Sequence, residues 1–130
     1  MGANVEVIQR MFSAFARRDF ALLAELTDPE FEFWAATARA AGHDGAYRGV
    51  DGLREYLADV ARVWEELRAE PRDFRELGEV VVVTGRVYAW GLGRVVDTPA
   101  GWFWRVRNGR IVEGRVFDNE QDALVAGGLA

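Results

Sequence analysis

A chain of 130 residues, half of them apolar, is one domain's worth of sequence, long enough to bury roughly two-thirds of its unfolded surface. Its net charge of -5, with no dense run of arginines, argues against a nucleic-acid partner, which requires a basic face to displace counterions. Without cysteine or lysine, and with His43 as its single histidine, the chain cannot use thiolates, disulfides, a lysine Schiff base or a His-rich metal site.

Ile8, Met11, Phe12 and Phe15 recur at helical spacing between Asn4 and about Arg18, with Asn4 placed to cap. Asp19 can cap a second short helix carrying Leu22, Leu23 and Leu26, which Asp28-Pro29 then stops. Phe31 to Ala35 alternates as a strand, with Phe31 and Phe33 on one face and Glu32 and Trp34 on the other. Thr37 to Tyr47 is small, Gly-containing and aperiodic, hence a loop. The third helix is expected from Asp51 to Arg68, its apolar stripe running from Leu53, Tyr56 and Leu57 through Val60 and Trp64 to Leu67.

Beyond Pro71 the pattern turns to β. A short strand near Arg72–Leu77 precedes a longer one from Glu79 to Trp90, which Gly91-Leu92-Gly93 breaks. In that longer strand Val81, Val83, Gly85, Val87 and Ala89 form an apolar core face. Arg86, Tyr88 and Trp90 then lie on the outer face, where such residues make interface hot spots. Gly101–Val106 and Arg110–Asp118 form a hairpin, and Asn119–Leu129 can close with a short helix. Helices before an antiparallel sheet make an α+β domain spanning 1–130. With no apolar leader and no segment of membrane-span length, the expectation is a cytoplasmic protein with no membrane partner.

Two turns fit Arg107-Asn108-Gly109. A two-residue turn pairs Arg107 with Arg110 and sets Trp104 against Glu113. A three-residue loop pairs Val106 with Arg110, Trp104 with Val112 and Trp102 with Gly114. The second separates apolar from charged residues better and is adopted. One face then carries Trp102, Trp104, Val112, Gly114, Val116 and Asp118, and the other Phe103, Arg105, Ile111, Glu113, Arg115 and Phe117.

On that register Asp118 is the one carboxylate among tryptophans and aliphatic side chains, the desolvated setting that acid–base work requires, unless it caps the last helix instead. Glu32 is a candidate second acid, or else one half of an ion pair with an arginine such as Arg86 or Arg115. His43 is a possible proton shuttle or a solvated loop residue. Trp34, Tyr56, Trp64, Trp102, Trp104 and Val116 are candidate walls of a pocket for a flat apolar molecule.

Four segments carry a resemblance. They are Asp19-Phe20, Asp28-Pro29-Glu30-Phe31-Glu32, Tyr47-Arg48-Gly49-Val50-Asp51-Gly52-Leu53-Arg54-Glu55-Tyr56 and Trp104-Arg105-Val106-Arg107-Asn108-Gly109-Arg110-Ile111. Together they resemble the SnoaL-like group of the nuclear-transport-factor-2-like superfamily. The resemblance implies a cone-shaped curved mixed β-sheet packed on three helices of the N-terminal half, enclosing an apolar cavity. It implies a homodimer through the outer sheet face, with Arg86, Tyr88, Trp90, Phe103 and Arg105 at the contact.

It also implies binding of a small hydrophobic ligand, with cofactor-independent acid–base chemistry of isomerase, cyclase, dehydratase or hydrolase type, or with no catalysis at all. Ketosteroid isomerases place their base at a position that falls on Trp34, and their oxyanion donors near Met11 and Trp102. The last-strand acid of cyclases and epoxide hydrolases falls near Val116. Arg86 resembles an epoxide hydrolase arginine whose expected aspartate partner is Tyr88.

Overall fold

The computed structural model describes residues 2–35 and 45–129. Its elements run α1 (Ala3–Ala16), α2 (Phe20–Leu26), β1 (Thr27–Ala35), β2 (Tyr47–Arg48) and α3 (Gly49–Ala61). They continue with β3 (Glu66–Leu77), β4 (Val80–Gly91), β5 (Arg94–Arg107), β6 (Arg110–Phe117) and α4 (Glu120–Ala126). The strands form one curved, unclosed mixed sheet in the order β2-β1-β6-β5-β4-β3. Among the described residues only β1 and β6 pair in parallel.

Asn4 is not the N-cap of α1. The helix begins at Ala3, and Gly2 supplies no side-chain cap. Instead Glu76, on β3, accepts the Val5 N–H at 3.1 Å, and the Asn4 amide donates to the Gly78 carbonyl at 3.2 Å. At α2 the expected cap is present, the Leu22 N–H donating to Asp19 at 3.1 Å. Asp28-Pro29 lies inside β1 rather than beyond the helix end. The β1–β6 register shifts between Thr27 and Glu32, where Pro29 has no N–H for a ladder.

α3 is shorter than its apolar stripe suggests. It ends at Ala61, the Trp64 N–H returns to the Val60 carbonyl at 2.7 Å, and the Glu65 N–H donates to Trp90 at 2.8 Å, opening β3. Leu67 therefore continues the stripe from a strand. The β4–β5 hairpin turns at Leu92-Gly93, both with positive φ, and β5 starts at Arg94, seven residues before the expected Gly101.

The β5–β6 hairpin corrects the adopted register. Asn108 (φ 54°) and Gly109 (φ 78°) make a two-residue turn, so Arg107 faces Arg110 and Val106 faces Ile111. Glu79, 3.5 Å from Arg107, offsets the like-charge pair. A register shift follows, after which Trp104 faces Gly114, Trp102 faces Val116 and Arg105 faces Glu113. The irregularity at Val112 thus restores the separation of apolar and charged faces that the turn alone forbids, while Ile111 joins the buried face. Gly114 is required by this packing, since a Cβ there would clash with the Trp104 ring.

α1, α2 and α3 cover the inner face of the sheet, built from Phe31, Phe33, Val81, Val83, Trp102 and Trp104. α4 crosses the opposite face, with Ala123 against Gly101 and Gly127 against Val82. Phe103, expected at an exposed dimer surface, is consequently buried on the α4 side of the sheet.

Candidate ligand cavity

Met11, Phe12 and Phe15 of α1, Leu53 and Tyr56 of α3, and the inner side chains of the sheet enclose a small cavity. Phe12 meets Trp102 edge-on at 5.3 Å and Trp104 at 5.8 Å, while Phe33 lies parallel to Trp104 at 6.1 Å. Tyr56 presents its ring edge-on to Phe33 at 5.0 Å. These offset and perpendicular arrangements are those the ring quadrupoles favour. The cavity has a volume of about 50 Å3.

Among the described residues, no carboxylate, histidine or arginine lines the cavity. Its polar groups are the Tyr56 phenol, the Thr27 hydroxyl, which donates to the Leu23 carbonyl at 2.7 Å, and the indoles. The Trp104 Nε1–H is buried without an acceptor. Leaving such a donor unmet costs about 1–3 kcal/mol.

Behind this wall, the buried Tyr47 hydroxyl donates to Asp59 at 2.8 Å, and Asp59 is bridged to Arg62 at 2.8 Å. Burial, then the Asp59 bond and charge, push the Tyr47 phenol well above its ordinary range and keep it protonated.

Of the sequence-selected residues, Tyr56, Trp102, Trp104 and Val116 meet in the cavity. Trp64 lines a chamber beside it. Trp34 lies outside, 41% exposed on the outer face of β1. Glu32 shares that face and pairs with Arg48 at 2.8 Å, rather than with Arg86 or Arg115. Asp118 lies exposed beyond the end of β6, accepting from the Asn119 amide at 3.1 Å, so it is not the desolvated carboxyl expected from strand alternation. His43 falls outside the described residues. Arg86 is on the outer face, bonded to Asp97 at 2.9 Å.

Phe12, Phe15 and Leu67 belong to the wall although the sequence reading placed them only in helical stripes. Their apolar period was the available signal, and it does not separate a cavity wall from a filled core. Among the described residues, no cluster of three or more His, Asp or Glu side chains could hold a metal ion.

Residues 8–114 match the family described as SnoaL-like domain. The chain belongs to the SnoaL-like family. The helices packed on a curved mixed sheet form the fold seen in solved nuclear-transport-factor-2-like proteins. The chain is 30% identical over 112 residues to an uncharacterised protein of Mycobacterium tuberculosis, covering 84% of this chain and 83% of that one. It superposes on TerC, co-crystallised with polyporic acid, with a TM-score of 0.81, 25% identity and 98% of each chain covered. It superposes on IdmH, a candidate polyketide cyclase from Streptomyces antibioticus, with a TM-score of 0.72, 21% identity, and 96% of this chain and 98% of that one covered.

Of the positions to which the family resemblance assigned catalytic groups, Met11, Trp102 and Val116 line the cavity and carry side chains that cannot ionise, whereas Trp34 and Arg86 lie on the outer face.

Proposed function

We propose that the protein binds a small, flat, largely apolar ring compound in the cavity between α1, α3 and the inner sheet face. The observation that carries this reading is the composition of the wall. Aromatic rings dominate it, and among the described residues no charged side chain lines it. Likeness to TerC with polyporic acid and to a candidate polyketide cyclase supports a ring-bearing ligand.

Naphthalene is the simplest probe. Calorimetric titration is expected to give saturable binding that Val116→Phe, which fills the cavity, abolishes. No saturable binding, or binding indifferent to Val116→Phe, overturns the proposal.

Likeness to IdmH supports a second reading, in which the bound ring undergoes cyclase-type proton transfer with Asp118 or Glu32 as the acid–base group. The exposure of Asp118 and the pairing of Glu32 with Arg48 favour binding without transfer. The outer face carrying Arg86, Tyr88, Trp90 and Arg105 is the surface proposed for self-association.

A further inference from the structure

An aromatic ring is too large for the cavity between α1, α3 and the sheet. Its volume of about 50 Å3 is well below the roughly 150 Å3 of a buried apolar cavity that accepts benzene. Packed interiors do not yield such a deficit by small shifts, so a side chain of the wall has to vacate its place.

Phe12, Phe15, Leu67 and Ala69 line both this cavity and a larger chamber of about 350 Å3, beside the last turns of α1 and α3 and the start of β3. The two phenylalanines carry the volume that is needed, and their surroundings separate them. Phe12 is held edge-on by Phe74 at 6.3 Å, Trp102 at 5.3 Å and Trp104 at 5.8 Å, so moving it breaks favourable ring contacts. Phe15 meets Tyr56 at 6.1 Å with a tilt of 36°, neither stacked nor edge-on. It stands half-buried in the last turn of α1. A helical phenylalanine has two staggered χ1 positions open to it, so its ring can move without disturbing the backbone. The chamber offers the displaced ring an apolar seat against Leu57, Val60 and Trp64.

Arg18 fastens the Phe15 ring where it is. Its guanidinium lies 5.3 Å from the ring centre, and its Nη1 donates to the Phe15 carbonyl at 2.6 Å. The backbone of Arg18 is left-handed (φ 57°), and the Asp19 N–H closes the helix end on the Ala14 carbonyl at 2.9 Å. Glycine is the usual residue at that position of a helix terminus, because it takes this conformation without strain. An arginine there accepts the strain and sets a cation over the Phe15 ring.

We infer that Phe15 is a built-in plug, its ring occupying part of the space that a ligand ring takes. Arg18 holds the plug in place, and binding exchanges one ring for the other as Phe15 turns into the chamber. Apparent affinity for an apolar ring is then lowered by the share of molecules that are plugged. The inference rests on the ring-binding function proposed above and names the residue that limits it.

A plug reverses the sign expected of a wall residue. Trimming an aromatic wall weakens ring binding, whereas Phe15→Ala is expected to tighten naphthalene binding on the order of tenfold in calorimetric titration. Phe12→Leu, which trims the fixed side of the same wall, is expected to weaken it. Arg18→Asn suits the left-handed backbone, and Arg18 lines no part of the cavity. Loss of its cation–π contact is expected to tighten binding about threefold, which carries the test if Phe15→Ala does not fold. Unchanged or weaker binding in Phe15→Ala, or in Arg18→Asn in its stead, overturns the plug and leaves ring binding standing. Equal tightening by Phe12→Leu and Phe15→Ala also overturns it, because any enlargement of the cavity would then suffice. Binding by Phe15→Ala but not by the wild type leaves the plug standing and overturns ring binding as the wild-type function. Binding by neither overturns both.

Discussion

Tyr47 is a residue whose chemistry the fold changes strongly. Its phenol is buried and bonded to the Asp59 carboxylate, so the folded state holds the proton to higher pH than the unfolded chain, which releases it near 10. Above that pH the native state binds more protons than the unfolded state, so stability falls as pH rises; below it the contribution is complete and flat. Urea unfolding between pH 8 and 11 should show this loss, by up to about 1.4 kcal/mol per pH unit from this group. Tyr47→Phe should remove that share of the slope and cost about 1 kcal/mol at pH 8. A slope identical in the variant would assign it to other groups. No spacing rule ties position 47 to position 59, so this pair was illegible in the sequence. Trp102, Trp104 and Val116 were legible because alternation fixes the face of a strand residue. Asp118 was misplaced because that rule holds only while the strand lasts, and β6 ends one residue earlier.

At the level of elements, α1 depends on a cap lent from 71 residues away. Its own N-cap, Gly2, has no side chain to offer, whereas the Glu76 carboxylate both accepts the Val5 N–H and places negative charge at the positive end of the helix. Glu76→Ala is expected to cost about 1 kcal/mol, seen as a lower urea midpoint at unchanged m-value. Asp19→Ala, which removes the local cap of α2, is the matched control, and an unaffected midpoint in Glu76→Ala alone would show that water replaces the borrowed cap. Element ends were the least legible part of the fold for related reasons. Nothing between Ala61 and Glu66 is Gly or Pro, so the sequence holds no helix stop, and the same apolar spacing serves both the last turn of α3 and the first residues of β3. The early half of β5 was hidden by Asp97 and Pro99. Asp97 is engaged by Arg86 on the outer face, and Pro99 lies before the start of β6 pairing at Gly101, where β5 has a neighbour on one side only and a missing N–H is tolerated.

Across the whole molecule, the sheet separates two chemistries. The inner face holds rings and aliphatic side chains, and the outer face is crossed by arginine–carboxylate pairs: Arg48–Glu32, Arg86–Asp97, and Glu113 between Arg105 and Arg115. Such exposed pairs contribute little to stability, typically about 0–1 kcal/mol each, but they fix which surfaces can meet. α4 removes part of the outer face from contact, burying Phe103 and Val82. What stays open is the β3–β4 side, where Trp90 and Val95 remain exposed beside Tyr88 and the Arg86–Asp97 pair. A self-association surface there is partly apolar and carries both signs of charge, the composition that suits a two-fold contact between identical copies. Sedimentation equilibrium at micromolar concentration is expected to give a dimer, and Trp90→Ala combined with Arg86→Glu to give a monomer. Naphthalene binding should survive in that double variant, because neither residue lines the cavity. A wild-type monomer at tens of micromolar would remove the outer face as an interface while leaving the inner one untouched, since the two faces of a single sheet are chemically independent once its register is set.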